Sequence, residues 1–144
     1  MNLSAKYSAC LKGELLCPGD KSISQRVLII GSFLNQEILI SNILASSDPI
    51  CTANALNQVN ANLTFNKLSN TVKTVKRQMP FQDPTESLDL GNSGTGARLL
   101  TGFLSGLGIN ATITGDKSLS SRPMKRIVEP LSLIHISEPT RPLY

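Results

Sequence analysis

One eight-residue pattern occurs twice in this 144-residue chain, and each copy precedes a segment with helical periodicity. The first copy is GDKSISQR, residues 19–26, and the second is GDKSLSSR, residues 115–122. After the first copy begins, apolar residues recur at three- and four-residue intervals, at Ile23, Val27 and Ile30, which is typical of an amphipathic helix. The sequence therefore predicts two helices whose first turns are almost identical.

A third glycine-rich turn, GNSGTG at residues 91–96, also precedes an apolar helical segment. Asp48, followed by Pro49, is predicted to cap a further helix that ends near Asn60, and Ser22 is predicted to cap the first helix. Short strands are predicted between these helices, at residues 11–16, 36–43, 63–65, 71–75, 88–90 and 111–114. This order of elements predicts an α/β (α+β) domain made of repeated units.

The three glycine-rich turns share groups that bind anions. Each places backbone N–H groups, hydroxyl side chains and a cation at a helix start, where free N–H groups and the helix dipole favour negative charge. The groups are Lys21, Ser22 and Arg26 in the first turn, Asn92, Ser93, Gly94, Thr95 and Arg98 in the second, and Lys117, Ser118 and Arg122 in the third. One such turn alone is more often a capped helix with a solvated lysine, and we expect Asp116 and Lys117 to form a surface turn. Three in one small domain favour a polyanionic small molecule.

Composition excludes several other functions. The net charge of +4 mildly favours anionic partners, but the densest basic cluster, Lys73, Lys76 and Arg77, is expected to be a solvated face and not a nucleic-acid site. Three cysteines without C-x-x-C spacing predict neither a disulfide framework nor a metal site, and they fit idle thiols in a cytoplasmic protein. No segment is long and apolar enough to predict a membrane span. Aromatic residues are only 4% of the chain, so the core is expected to be aliphatic.

At these motifs the chain resembles the enolpyruvyl transferases, in particular those that act on shikimate 3-phosphate. PGDKSISQR resembles the family's N-terminal signature, LGNSGTGAR its second and GDKSLSSRPM its third, while SNILASSD is a weaker match. The resemblance covers roughly residues 11–131 and implies a fold of repeated βαβαββ units. It also implies transfer of the enolpyruvyl group from phosphoenolpyruvate to the 5-hydroxyl of shikimate 3-phosphate, with release of phosphate and without a metal or organic cofactor. The full-length protein is expected to be a monomer.

The same resemblance assigns roles to individual residues. Lys21 is expected to contact both substrates, while Ser22 and Arg26 hold shikimate 3-phosphate. The backbone N–H of Gly94 and the side chain of Arg122 are expected to bind phosphoenolpyruvate. Asp48, Asn92, Thr95 and Arg98 are expected to support these loops. Because a side chain at position 94 would crowd the phosphoenolpyruvate pocket, the full-length protein is also expected to be sensitive to glyphosate.

Compared with that family, the sequence is short. Residues 1–18 are expected to belong to a second domain, residues 19–131 to form a partial enolpyruvyl transferase domain, and residues 132–144 to be foreign to the family, so that His135 carries no assigned role. Proton-transfer residues are expected outside this sequence, and the chain alone is expected to be inactive.

Two alternatives remain open. One is a fragment of an enzyme that uses UDP-N-acetylglucosamine, which the GDKS turn and the absence of a cysteine after Cys51 disfavour. The other is a non-catalytic anion-binding module.

Overall fold

The computed structural model describes residues 3–134, which form five helices and five strands. In chain order these are α1 (Lys21–Phe33), β1 (Ile38–Ile40), α2 (Ser47–Gln58), β2 (Leu63–Asn66), β3 (Thr71–Thr74), β4 (Leu88–Asp89), α3 (Gly94–Gly106), β5 (Ile113–Thr114), α4 (Lys117–Ser120) and α5 (Lys125–Leu133). The mixture of helices and strands confirms the predicted α/β class. Most of the tail predicted to be foreign, from residue 135 onward, lies outside the described residues.

Two small sheets position the helices. Strand β3 lies between β1 and β2 and is antiparallel to both, so β1 and β2 run parallel with α2 as the crossover between them. The predicted hairpin of residues 63–65 and 71–75 is confirmed as β2 and β3. In the second sheet, β4 and β5 are parallel, with Leu88 opposite Ile113, and α3 is their crossover. The turns after parallel strands lie at the same edge of a sheet, so the glycine-rich turns after β4 and β5 are neighbours.

The core is aliphatic, as predicted. Its largest fully buried apolar side chains lie on α1, on α2 with the turn after it, on α3 and at β3 and β4, and they are Leu28, Leu56, Leu88, Leu90, Leu100, Val59 and Val72. Aromatic rings lie at the margin of this core, where Phe103 makes edge-to-face contacts with Phe33 and Phe81. Next to them, apolar side chains of α1 and α3 line an open groove of about 380 Å³. The helices are therefore held together by aliphatic packing, with an apolar surface left open on one side.

The strand predicted at residues 11–16 is wrong. Residues 3–18 contain neither helix nor strand, and Leu11, Leu15 and Leu16 are each at least 87% exposed. A strand is stable only when its backbone groups find partners. In the part of the chain that the structure describes, no strand pairs with this segment. Its assignment to a second domain stays a prediction.

Two predicted helix caps are also wrong, and one helix end is confirmed. Asp20, not Ser22, caps α1, so the helix begins one residue before Ser22. Ser46 precedes α2, which places Asp48 second in the helix, where its charge still favours the helix dipole. Asn60 follows α2 with a φ of 77°, a left-handed conformation that closes the helix near the predicted end.

The basic cluster near residue 75 is not uniformly solvated. Lys73 forms an exposed ion pair with Glu37 (2.6 Å), as expected for a surface residue. Arg77, however, is half-buried, and its guanidinium lies 3.9 Å from the centre of the Phe81 ring. The side chain also donates to the carbonyl of Ser32. Arg77 therefore packs the segment after β3 against the end of α1.

Candidate functional site

Both copies of the repeated pattern begin with the same helix cap. Asp20 Oδ1 accepts from the backbone N–H of Ile23 at 2.7 Å, and Asp116 Oδ1 accepts from that of Leu119 at 2.7 Å. Each aspartate is therefore the N-cap of its helix, although α1 is 13 residues long and α4 only four. The predicted surface position of Asp116 and Lys117 is confirmed, since both are exposed, and the turn is a capped single turn of helix. In both copies the aspartate fixes where the helix begins, so that the following lysine is its first residue.

The glycine in each copy is required by close backbone approach. A Cβ on Gly19 would overlap the carbonyl oxygen of Asn42, in the turn after β1. A Cβ on Gly115 would lie 2.5 Å from the carbonyl oxygen of Gly91, in the turn after β4. Each copy of the pattern is therefore packed against the turn that follows a strand, and any other residue would push the two apart.

Lys21 and Asp48, predicted separately, are brought together. Lys21 Nζ lies 3.0 Å from Asp48 Oδ2, which joins the first turn of α1 to the first turn of α2. The lysine side chain is 50% exposed, whereas that of Asp48 is 16% exposed. Asp48 thus directs the ammonium group along the start of α1 while leaving it accessible to a ligand. Arg26, exposed one turn from Ser22, donates to the Ser22 carbonyl at 3.0 Å.

Arg122 lies against the N-terminus of α3. Its Nη2 donates to Asn92 Oδ1 and to Ser118 Oγ, the latter at 3.3 Å. A Cβ on Gly94 would lie 2.8 Å from Arg122 Nη1. Asn92 in turn donates to Asp116 Oδ2 at 2.8 Å. The third glycine-rich turn therefore supplies a cation to the helix that begins in the second.

The two supporting residues predicted on α3 lie in its first turns. Arg98 Nη2 donates to the carbonyl of Pro123 at 3.3 Å, which ties α3 to the segment before α5. Thr95 is half-buried in the first turn. Its backbone N–H has no hydrogen-bond partner within residues 3–134, and neither have the N–H groups of Lys21 and Ser22 at the start of α1. The Gly94 N–H, in contrast, donates to the Asn92 carbonyl at 3.0 Å, so a ligand would reach it only by replacing that contact.

A buried polar cluster joins three helices and was missed by the sequence analysis. Gln25 of α1 is fully buried, and its Nε2 donates to Thr52 Oγ1 of α2 (3.2 Å) and to Ser93 Oγ (2.5 Å). Ser93 is the N-cap of α3, and its Oγ also accepts from the Gly96 N–H at 3.1 Å. Gln25 lies one helical turn from the buried Leu28, so a polar residue on an apolar helix face was the available signal.

The electrostatics keep Asp116 ionised and Cys51 neutral. The backbone N–H of Leu119 is the main cause that lowers the pKa of the Asp116 carboxyl, helped by Asn92 and by the charge of Arg122. Burial, with smaller effects of two nearby aspartates, raises the pKa of the Cys51 thiol. A protonated thiol is a poor nucleophile, so the raised pKa makes the Cys51 thiol less reactive than a free cysteine.

Two further features are absent from residues 3–134. These residues contain no group of three or more histidine, cysteine, aspartate or glutamate side chains placed to hold a metal ion. None of the helices in this part of the chain is both long and apolar enough to cross a membrane.

The family assignment follows from comparison with known proteins. The sequence profile of EPSP synthase (3-phosphoshikimate 1-carboxyvinyltransferase) matches residues 6–137. The chain belongs to the EPSP synthase family. This confirms the resemblance based on the three glycine-rich motifs.

Individual members of the EPSP synthase family are similar over most of the chain. The 3-phosphoshikimate 1-carboxyvinyltransferase of Petrotoga mobilis is 43% identical over 132 residues, which are 92% of this chain and 31% of that protein. The protein of the same name from Rhodopseudomonas palustris is 43% identical over 94% of this chain and 30% of its own length. The structure of EPSP synthase from Acinetobacter baumannii matches with a TM-score of 0.75 and 33% identity, over 85% of this chain and 28% of that one. The chain therefore spans about 30% of the curated relatives that it matches.

Proposed function

We propose that this chain forms the first part of a 3-phosphoshikimate 1-carboxyvinyltransferase and supplies one wall of its substrate site. In the proposed reaction, the 5-hydroxyl oxygen of shikimate 3-phosphate loses its proton and bonds to C2 of phosphoenolpyruvate, while C3 gains a proton. The tetrahedral intermediate then loses phosphate and one C3 proton, which restores the vinyl group. Membership of the EPSP synthase family and the names of the relatives support this reaction.

The observation that carries the proposal is the position of Arg122 at the start of α3. Phosphoenolpyruvate presents a carboxylate and a phosphate, and an arginine fork binds either group through two parallel hydrogen bonds. Beside the guanidinium lies the unpaired N–H of Thr95, and the missing side chain of Gly94 lets the guanidinium lie over the start of α3. A cation and a helix N-terminus with an unpaired N–H therefore coincide at one place.

The start of α1 is the proposed site for the phosphate of shikimate 3-phosphate. The unpaired N–H groups of Lys21 and Ser22, the Ser22 hydroxyl and the exposed Arg26 all lie within its first two turns. Lys21, held by Asp48, lies at the same helix start. In this proposal it contacts both substrates and reduces the repulsion between their negative charges. None of the described residues is assigned to proton transfer.

A chimaeric enzyme tests the proposed function. Residues 6–131 of this chain would replace the matching segment of the Petrotoga mobilis relative, which supplies the remaining part of the site. We expect the chimaera to release phosphate only when shikimate 3-phosphate and phosphoenolpyruvate are both present, and the 144-residue chain alone to release none.

Two controls make this experiment decisive. The Petrotoga mobilis protein, expressed and purified in the same way, gives the reference rate, and UDP-N-acetylglucosamine replaces shikimate 3-phosphate in a parallel assay. A chimaera that melts as cooperatively as the parent but shows no release with shikimate 3-phosphate would contradict the proposal. Release with the UDP-sugar would assign the chain to the alternative reaction.

A further inference from the structure

The two copies of the repeated pattern differ in one polar position that the proposed substrate contacts do not explain. GDKSISQR carries Gln25 where GDKSLSSR carries Ser121. Gln25 is fully buried, whereas Ser121 is exposed. The long amide side chain is therefore present only in the first copy, which begins the 13-residue helix α1 that packs against α2 and α3.

Gln25, in the second turn of α1, connects that helix with the second turn of α2 and with the N-cap of α3. Its Nε2 donates to Thr52 Oγ1 at 3.2 Å and to Ser93 Oγ at 2.5 Å. Thr52 already donates its hydroxyl proton to the carbonyl of Asp48 at 3.0 Å, so its oxygen is left to accept from Gln25. The three helices are thus joined by one amide group.

No space remains around this amide. A Cβ on Gly96 would lie 2.7 Å from Ser93 Oγ, 2.9 Å from Thr52 Oγ1 and 3.0 Å from Gln25 Nε2. The first turn of α3 therefore fits against the cluster only because residue 96 is glycine. A change in the position of the Gln25 amide would move that turn.

Packing alone does not explain a glutamine here. No protein donor within residues 3–134 bonds to Gln25 Oε1, although the atom is buried. A leucine or methionine would fill the same volume without burying a half-paired amide, which is unfavourable. Buried polar groups of this kind specify one arrangement of the elements that they join.

We propose that Gln25 is a positioning residue, which fixes the N-terminus of α3 relative to that of α1. The proposal rests on the function proposed above, because α1 holds shikimate 3-phosphate and the start of α3 with Arg122 holds phosphoenolpyruvate. Gln25 touches neither substrate in this account. It sets the separation of the two binding sites, and so the alignment of the 5-hydroxyl with C2 of phosphoenolpyruvate.

Amide hydrogen exchange in the 144-residue chain tests the positioning role without any enzyme activity. Gln25→Met keeps the side-chain volume but removes the donor. We expect exchange of the Gly96 N–H to become more than ~10-fold faster, because Ser93 loses the contact that holds its hydroxyl as the cap. Gln25→His, whose Nε2 can donate from a similar position, should restore slow exchange, and the exposed Gln58→Met should change nothing. Equal exchange in Gln25→Met and the parent would overturn the proposal.

Kinetics of the chimaera separate positioning from a merely structural role. For Gln25→Met we expect the KM for phosphoenolpyruvate to rise about 10-fold and that for shikimate 3-phosphate to change less than about 3-fold. In a chimaera that already carries Ser93→Ala, Gln25→Met should raise the KM for phosphoenolpyruvate little further, because both substitutions remove the same hydrogen bond. A lower melting temperature with both KM values unchanged, or with both raised equally, would show that Gln25 only stabilises the fold.

The two tests fail independently of each other. If the unsubstituted chimaera has no turnover, the proposed function fails, and the Gly96 exchange rates alone decide whether Gln25 positions α3. If the chimaera turns over but Gln25→Met shifts neither exchange nor KM, the function stands and the positioning role is wrong.

Discussion

Gly96→Val is expected to lower the free energy of unfolding, measured in urea, by about 2–3 kcal/mol. The new side chain would enter a space that Ser93, Thr52 and Gln25 already fill, with the nearest oxygen 2.7 Å from its Cβ. Ser93 would have to leave its capping position, and the hydrogen bonds from Gln25 would break. Valine is no worse than glycine in helix propensity, so propensity cannot cause the loss.

Gly102→Ala is the matched control for this substitution. It lies on the same helix, and its Cβ would make only an ordinary contact of 3.8 Å with Ile127. We expect it to stabilise the chain by up to about 1 kcal/mol, because alanine is the better helix former. An unfolding free energy of Gly96→Val within about 0.5 kcal/mol of the parent would show that the polar cluster is not tightly packed.

Arg122→Met in the chimaera is expected to lower kcat/KM for phosphoenolpyruvate by about 10- to 100-fold, the usual worth of one or two hydrogen bonds to a charged group. Because Arg122 is exposed, the melting temperature should change little. Arg122→Lys keeps the charge but loses the planar guanidinium, whose Nη2 donates to both Asn92 and Ser118, so it should recover only part of the loss. Steady-state rates at saturating shikimate 3-phosphate measure this effect.

Lys117→Met provides the control for charge alone. Lys117 stands in the second copy where Lys21 stands in the first, and it is exposed. Within residues 3–134 it forms no ion pair. We expect Lys117→Met to change kcat/KM for phosphoenolpyruvate by less than about 2-fold. An equal loss in Lys117→Met and Arg122→Met would mean that general positive charge, and not the Arg122 geometry, attracts the substrate.

Local patterns in the sequence predicted the elements that depend on local physics. The β2–β3 hairpin, the end of α2 near Asn60 and the three glycine-rich helix starts follow from residues within a few positions of one another. The cap of α1 was assigned wrongly because Asp20 and Ser22 are both good capping residues two positions apart. Close approach of Gly19 to Asn42 places the chain so that Asp20 caps the helix. That contact is between distant residues, so local sequence could not reveal it.

In the candidate site, too, local sequence indicated individual residues but not the contacts between distant ones. Sequence indicated Lys21, Asp48, Gly94 and Arg122, but not that Lys21 pairs with Asp48 or that Arg122 lies over Gly94. Gln25 was missed because its partners are 27 and 68 residues away. The strand predicted at residues 11–16 has the right local pattern, yet a strand also needs a neighbour, and local pattern cannot supply one.

A crystal structure of the chimaera with shikimate 3-phosphate bound tests the central claim most directly. We predict that the phosphate is held by the start of α1, within hydrogen-bond distance of Ser22 and Arg26. Lys21 and Arg122 should face the same cleft, with the 5-hydroxyl directed towards Gly94. A phosphate bound away from α1, or Lys21 and Arg122 on opposite sides of the molecule, would contradict the account.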